Sequence, residues 1–143
     1  MLEGKMKNYW DGGVCAVDVR DVAAGHVLAM EKGRIGESYI LANKDGNMPN
    51  KELLMMIGKI AGVSNVAKTE VSGNVMLRVA KLSELWSKIS GRAPITTYKN
   101  TRYVLQHGYV DPAKAVQELG LPQTPIETAV TDSVKWFRDN GYA

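Results

Sequence analysis

Few side chains in this sequence could do chemistry, and their spacing limits what they could do. It holds two histidines far apart, His26 and His107, and one cysteine, Cys15. That is too few imidazole and thiolate ligands, at the wrong spacing, for a metal site. Cys15 stands beside valine and alanine and reads as a small buried hydrophobe rather than a nucleophile. His26 lies among apolar residues at helical spacing. It could be a general acid or base, but no acidic partner follows from spacing, which favours a structural role. Tyr9 and Trp10 are an aromatic pair that would either line a ligand cleft or pack on a neighbouring strand. Arg20 would either meet an anionic substrate group or pair with a nearby acid. Any small-molecule pocket would therefore draw on Tyr9, Trp10, Cys15 and Arg20.

The motifs of catalysis are missing. No Gly-x-Gly-x-x-Gly follows an extended stretch, and there is no P-loop, His-Glu-x-x-His, Cys-x-x-Cys or Gly-x-Ser-x-Gly. Tyr-x-x-x-Lys would set a tyrosine and a lysine one helical turn apart for proton transfer during hydride chemistry. It is absent too, because Gly13, Asn43, Arg102, His107 and Ala113 stand four positions after Tyr9, Tyr39, Tyr98, Tyr103 and Tyr109. Gly58 and Gly62 close a helix and read as packing plus a stop. No catalytic residue can be assigned.

The elements that must position these side chains read mainly as helices. Val17 and Val19 alternate with Asp18 and Arg20, the pattern of a short strand with one buried face. Asp21 would then cap a helix from Val22 to Lys32. Residues 36–43 have a nearly continuous apolar centre, which predicts a strand buried on both faces. Asn50 is placed to cap a helix ending at Gly62. Asn74 to Ile89 is a long helix so apolar that it should be covered on more than one side. Thr96 to Leu105 reads as a further helix. Asp111-Pro112 starts another, with Asp111 as its cap and Pro112 in its first turn. A last helix carries Ile126, Ala129, Val130, Val134 and Phe137 on one face. The order is strand, helix, strand, then four or five helices, with no internal repeat and no linker, so residues 1–143 are expected to form one domain.

The 143 residues are 45% hydrophobic and 23% charged, with a net charge of +3, an ordinary globular composition. The cations look scattered among acids, which speaks against a nucleic-acid partner. No run approaches the length of a membrane span, and the N-terminus lacks the apolar core of a signal peptide. With a single cysteine, these features predict a cytoplasmic protein.

Two stretches together carry a family resemblance. Val17-Asp18-Val19-Arg20-Asp21-Val22-Ala23-Ala24-Gly25-His26, followed by Glu31-Lys32-Gly33-Arg34-Ile35-Gly36-Glu37-Ser38-Tyr39-Ile40-Leu41, resembles the C-terminal half of extended short-chain dehydrogenases/reductases. The nearest branch is that of the dihydroflavonol 4-reductase-like enzymes and hopanoid-associated sugar epimerases. Val110 to Gly120 is similar to that family's strand-then-helix segment, and Val134 to Tyr142 to its closing helix. The resemblance implies a helix-rich α/β chain, a partial Rossmann-type fold with one or two short strands and a helical substrate-binding lobe. Tyr39–Ala42 would be a late sheet strand, and Met6 to Cys15 would lie near the substrate pocket.

It also implies an NAD(P)-dependent oxidoreductase or epimerase whose cofactor loop and catalytic tyrosine and lysine precede this segment. The chain by itself would then bind no cofactor. Its expected partners are a missing N-terminal half, a second copy in a homodimer and a small-molecule substrate. The competing expectation is a non-enzymatic helical module for self-association or partner binding.

Overall fold

The computed structural model describes residues 7–64 and 66–142; Met6 therefore lies outside the described residues. Six helices dominate: α1 (Val19–Lys32), α2 (Asn50–Ala61), α3 (Gly73–Ser90), α4 (Tyr98–Val104), α5 (Ala113–Leu119) and α6 (Ile126–Asp139). Four strands of two or three residues accompany them: β1 (Asn8–Tyr9), β2 (Gly13–Cys15), β3 (Asn47–Pro49) and β4 (Thr69–Glu70). β1 pairs parallel with β4 and β2 pairs antiparallel with β3, so the strands form two small ribbons rather than one sheet. The helix-rich α/β class expected from the sequence is observed, but the strands fall elsewhere.

Residues 17–19 are not a strand. Asp18 has extended backbone angles, and its Oδ1 accepts the Arg20 N–H at 2.8 Å, which starts α1 at Val19. Three alternating residues carry little register information, and a side-chain cap outcompetes them. Asp21 is accordingly not the cap. It sits in the first turn of α1, almost wholly buried, and its carboxylate accepts the Thr124 N–H at 2.6 Å and the Thr124 hydroxyl at 2.8 Å. Asp111 accepts the Ala113 N–H at 2.9 Å. Pro112 stands just before α5 rather than inside it.

Tyr39–Ala42 is not in a ladder among the described residues. Its flanks are held by side chains instead. Lys114 Nζ donates to the Ser38 carbonyl at 3.0 Å, and Gln123 Nε2 donates to that of Ala42 at 3.2 Å. Asn43 Nδ2 donates to the Thr124 carbonyl at 2.8 Å. An apolar run can be a doubly covered strand only where neighbouring strands supply partners, and here Ile40 is exposed.

The core is thin. Leu119, Leu121 and Ala115 form its centre, with Leu28, Ala29, Tyr39, Leu41 and Val116 packed against them. Among the described residues five of the eleven buried apolar side chains are alanines, so large side chains contribute little buried area. α1 packs on α5, α2 on α6 and α3 on α4. Gly62 ends α2 in the left-handed conformation at φ 66°, which a side chain would disfavour. Contrary to the expectation of two-sided burial, α3 buries only Ala80; Val75, Val79, Leu82, Leu85, Trp86 and Ile89 all face solvent.

Candidate functional site

The apolar side of α6 is the most developed concavity. Ile126, Val130, Val134 and Phe137 recur at spacings of three and four, placing them on one face. With Ile57 of α2 and Val17 of the β2–α1 connection they line a cleft of about 690 Å³. Tyr142 closes one end, stacked on Trp136 at 5.7 Å and edge-on to Phe137 at 6.2 Å. A second cavity of about 440 Å³ shares Val17, Ala129 and Ser133 with the first and ends in Asp18, Arg20 and Asp132.

That charged end is self-neutralising. Arg20 Nε donates to Asp18 Oδ1 at 2.9 Å, and Nη2 donates to Asp18 Oδ2 at 2.6 Å and to Asp132 Oδ2 at 2.7 Å. The hydrogen bonds from Arg20 hold the Asp18 carboxyl below the usual range, against the burial that would raise it. The same bonds raise the Arg20 guanidinium above its ordinary value. One cation facing two carboxylates offers little to an anionic group, so of the two readings of Arg20 the ion pair is the one observed. A second charged cluster lies over α5. Arg34 Nη2 donates to Glu118 Oε1 at 2.6 Å, the Tyr39 hydroxyl to Glu118 Oε2 at 2.8 Å, and Lys114 Nζ to Glu37 Oε2 at 2.6 Å. Asp18 and Arg20 are two positions apart, but Asp132, Glu118 and Lys114 join from distant parts of the chain, and nothing in the local sequence announces them.

The other expected site residues lie away from the cleft. Tyr9 is in β1, where its hydroxyl donates to Glu70 Oε2 at 3.2 Å and Lys51 Nζ sits 5.1 Å above its ring. Trp10 Nε1 donates to the Val104 carbonyl at 3.0 Å. Cys15 ends β2 half-buried, with Sγ 3.6 Å from the Asn43 carbonyl. Neither cavity along α6 is lined by Tyr9, Trp10 or Cys15, so the structure does not gather the four residues into one pocket. His26 is exposed rather than on a buried face, its Nδ1 2.8 Å from the Val22 carbonyl. Among the described residues no cluster of His, Cys, Asp and Glu could hold a metal ion.

A dinucleotide needs a glycine-lined strand-to-helix turn with free helix-terminal amides. The three junctions here do not supply one. α1 is closed by the Asp18 carboxylate, α2 follows Asn47-Met48-Pro49 with no glycine, and the Cβ position at Gly73 of α3 abuts Leu105. Among the described residues, these junctions do not fit a dinucleotide. What the arrangement can do is bind an apolar surface along α6.

No family model matches the chain. A dihydroflavonol 4-reductase-like protein of Synechocystis sp. is 37% identical over 145 residues, covering 99% of this chain and 41% of the relative. The solved structure of gox2253 superposes with a TM-score of 0.77 at 36% identity, over 98% of this chain and 42% of that one. A nucleoside-diphosphate-sugar epimerase from Pseudomonas aeruginosa gives a TM-score of 0.76 at 26% identity, over 99% of this chain and 40% of the epimerase. A UDP-glucuronic acid 4-epimerase from Bacillus cereus, solved in complex with NAD, shares the fold at a TM-score of 0.57 and 18% identity. The chain thus spans about two-fifths of the length of the proteins it matches. By sequence and fold, the chain is similar to the C-terminal part of dihydroflavonol 4-reductase-like and nucleotide-sugar epimerase proteins, consistent with the C-terminal part of an extended short-chain dehydrogenase/reductase.

Proposed function

We propose that this chain is the substrate-binding part of an NAD(P)-dependent reductase or epimerase, and that it works only with a nucleotide-binding half supplied by polypeptide outside these 143 residues. The observation that carries this reading is the match along 99% of the chain to 41% of a reductase-like relative. The extended, unladdered Tyr39–Ala42 and the apolar cleft along α6 are the surfaces that such a half would cover. In that assembly Tyr9, Trp10 and Cys15 lie at the substrate side, and substrate specificity follows the stretch from Tyr9 to Arg20.

The test is a fluorescence titration of NADH and NADPH, first with the purified chain and then with the chain co-expressed with the nucleotide-binding half of the Synechocystis relative. The expected result is no saturable binding to the chain alone, and a purifiable complex that binds cofactor. Micromolar binding to the chain alone, or failure of the two parts to associate, overturns the reading. In a reconstituted enzyme, Trp10→Phe is expected to raise KM more than it lowers kcat.

A further inference from the structure

The outward face of α3 is unlike any other surface of the molecule. Val75, Val79, Leu82, Trp86 and Ile89 follow one another at spacings of four, three, four and three, and each is at least half exposed. At about 1.5 Å per residue the stripe runs roughly 20 Å along the helix. Leu85 widens it, and Ile95 and Tyr103 extend it towards α4 with 94% and 73% exposure. A groove between α3 and α4 adjoins the stripe, with Val71, Val75, Val79 and Val104 on its apolar wall and Thr96 and Asn100 on its polar one.

Charge decides what this face suits. From Gly73 to Gln106 the sequence carries Arg78, Lys81, Lys88, Arg92, Lys99 and Arg102 against one acid, Glu84, while the rest of the chain is net acidic. Glu84 is committed, since its Oε1 accepts the Tyr98 N–H at 2.8 Å. None of the six cations is in an ion pair among the described residues. On the helix, Arg78 adjoins the apolar stripe, and Lys81 and Lys88 lie beyond Leu85 on the same side, Lys81 Nζ 5.0 Å from the Tyr98 ring. Two copies placed face to face would set these cations against each other with no acids to answer them. An apolar stripe containing tryptophan, rimmed by lysine and arginine and lying flat on the protein, matches an anionic lipid surface.

We infer that the α3–α4 hairpin docks this chain peripherally on anionic membranes, with Leu82, Trp86 and Ile89 entering the headgroup boundary and the basic rim on the lipid phosphates. No helix among the described residues is long and apolar enough to cross a bilayer, so the contact is interfacial. It rests on the exposed apolar face of α3 and α4 and on the cations beside it.

The experiment is co-sedimentation of the purified chain with phosphatidylcholine vesicles, with and without about one-third phosphatidylglycerol. Binding is expected to the anionic vesicles, falling as salt screens the charge, with little to the neutral ones. Reversing Lys81 and Lys88 to Glu is expected to weaken it by more than tenfold, since each cation near the surface contributes about fivefold. Leu82→Glu is expected to abolish it without altering the far-ultraviolet circular dichroism, because residue 82 faces solvent. Tryptophan emission should shift to the blue on binding, and Trp86→Phe should remove the shift. Equal binding to both vesicle types, no binding to either, or a dimer that Leu82→Glu dissolves would each overturn the inference.

Discussion

Replacing Asp21 tests the local logic of the fold, because two physical roles for this residue predict different energies. In the structure its carboxylate is 3% exposed and accepts two hydrogen bonds from Thr124, at 2.6 and 2.8 Å. Asp21→Ala leaves the Thr124 N–H without its charged acceptor. A hydrogen bond to a charged group contributes about 1.5–3 kcal/mol, and a buried orphan costs about 1–3 kcal/mol. Thr124 is half-buried, so water replaces part of what is lost. The expected loss is therefore about 2–4 kcal/mol. Asp21→Asn can keep both contacts, with Oδ1 accepting from the N–H and Nδ2 donating to the hydroxyl oxygen, and should cost about 1 kcal/mol. If Asp21 were only a helix cap, alanine would cost about 1 kcal/mol and asparagine almost nothing. Urea unfolding with a shared m value separates the cases. An alanine variant within about 0.5 kcal/mol of the parent, or an asparagine variant as damaged as alanine, refutes the reasoning.

Three further outcomes follow from specific contacts. Stability should be level from pH 7 to about 5 and fall below about pH 4. The hydrogen bonds from Arg20 to Asp18, from Lys114 to Glu37 and from Tyr39 to Glu118 each hold a carboxylate below its unfolded value, so their stabilisation is present above that value and lost as each group protonates; urea midpoints across the range, with Asp18→Asn reducing the drop, check the sign. Gly46→Ala should destabilise by about 2–4 kcal/mol, because a Cβ there would run into the Ala16 carbonyl oxygen, which is backbone and cannot rotate away; thermal melting reads it. Leu119→Ala should cost about 2–5 kcal/mol at a site that is 1% exposed and central to the core, and a loss under about 1 kcal/mol would show that the core is not where these contacts place it.

Helices were legible because their signals are local and repeated. The apolar spacing of Leu53 to Ala61 with Gly62 behind it, and of Ile126 to Phe137, place α2 and α6 within a residue or so of their observed bounds. Strands were not, because a strand of two or three residues carries no period to detect and exists only through its partner. Val17 and Val19 therefore passed for a strand until the Asp18 cap was seen, while β2 lay hidden in Gly13-Val14-Cys15. Asp21 was recognisable as important but not for its reason, since Thr124 stands 103 positions away. The candidate site was harder still. Tyr9, Trp10, Cys15 and Arg20 share their chemistry, but the structure gives each a separate partner. The cleft along α6 was visible only as a helix face, with nothing in the sequence to say that the face would stay open.

The two uncovered apolar faces differ in charge, and that difference separates their partners. The α6 cleft has an apolar lining, and the cavity beside it ends in Arg20 held between two carboxylates, so that end offers no unpaired cation to what covers it. A protein surface of matching shape satisfies it, as in the proposed union with a nucleotide-binding half. The α3 face has the opposite rim, cationic and unpaired among the described residues, and a neutral protein surface would leave those charges to be desolvated without compensation. Lipid phosphates answer them while the acyl boundary takes Leu82, Trp86 and Ile89. α3 packs on α4 and α6 packs on α2, so the two contacts use different helices and neither needs to displace the other. A reductase lobe so arranged would hold its catalytic partner on one side while resting on a membrane by another. The reconstituted complex should then bind anionic vesicles as well as the chain alone does, and loss of vesicle binding on adding the nucleotide-binding half would show that the two faces are one interface.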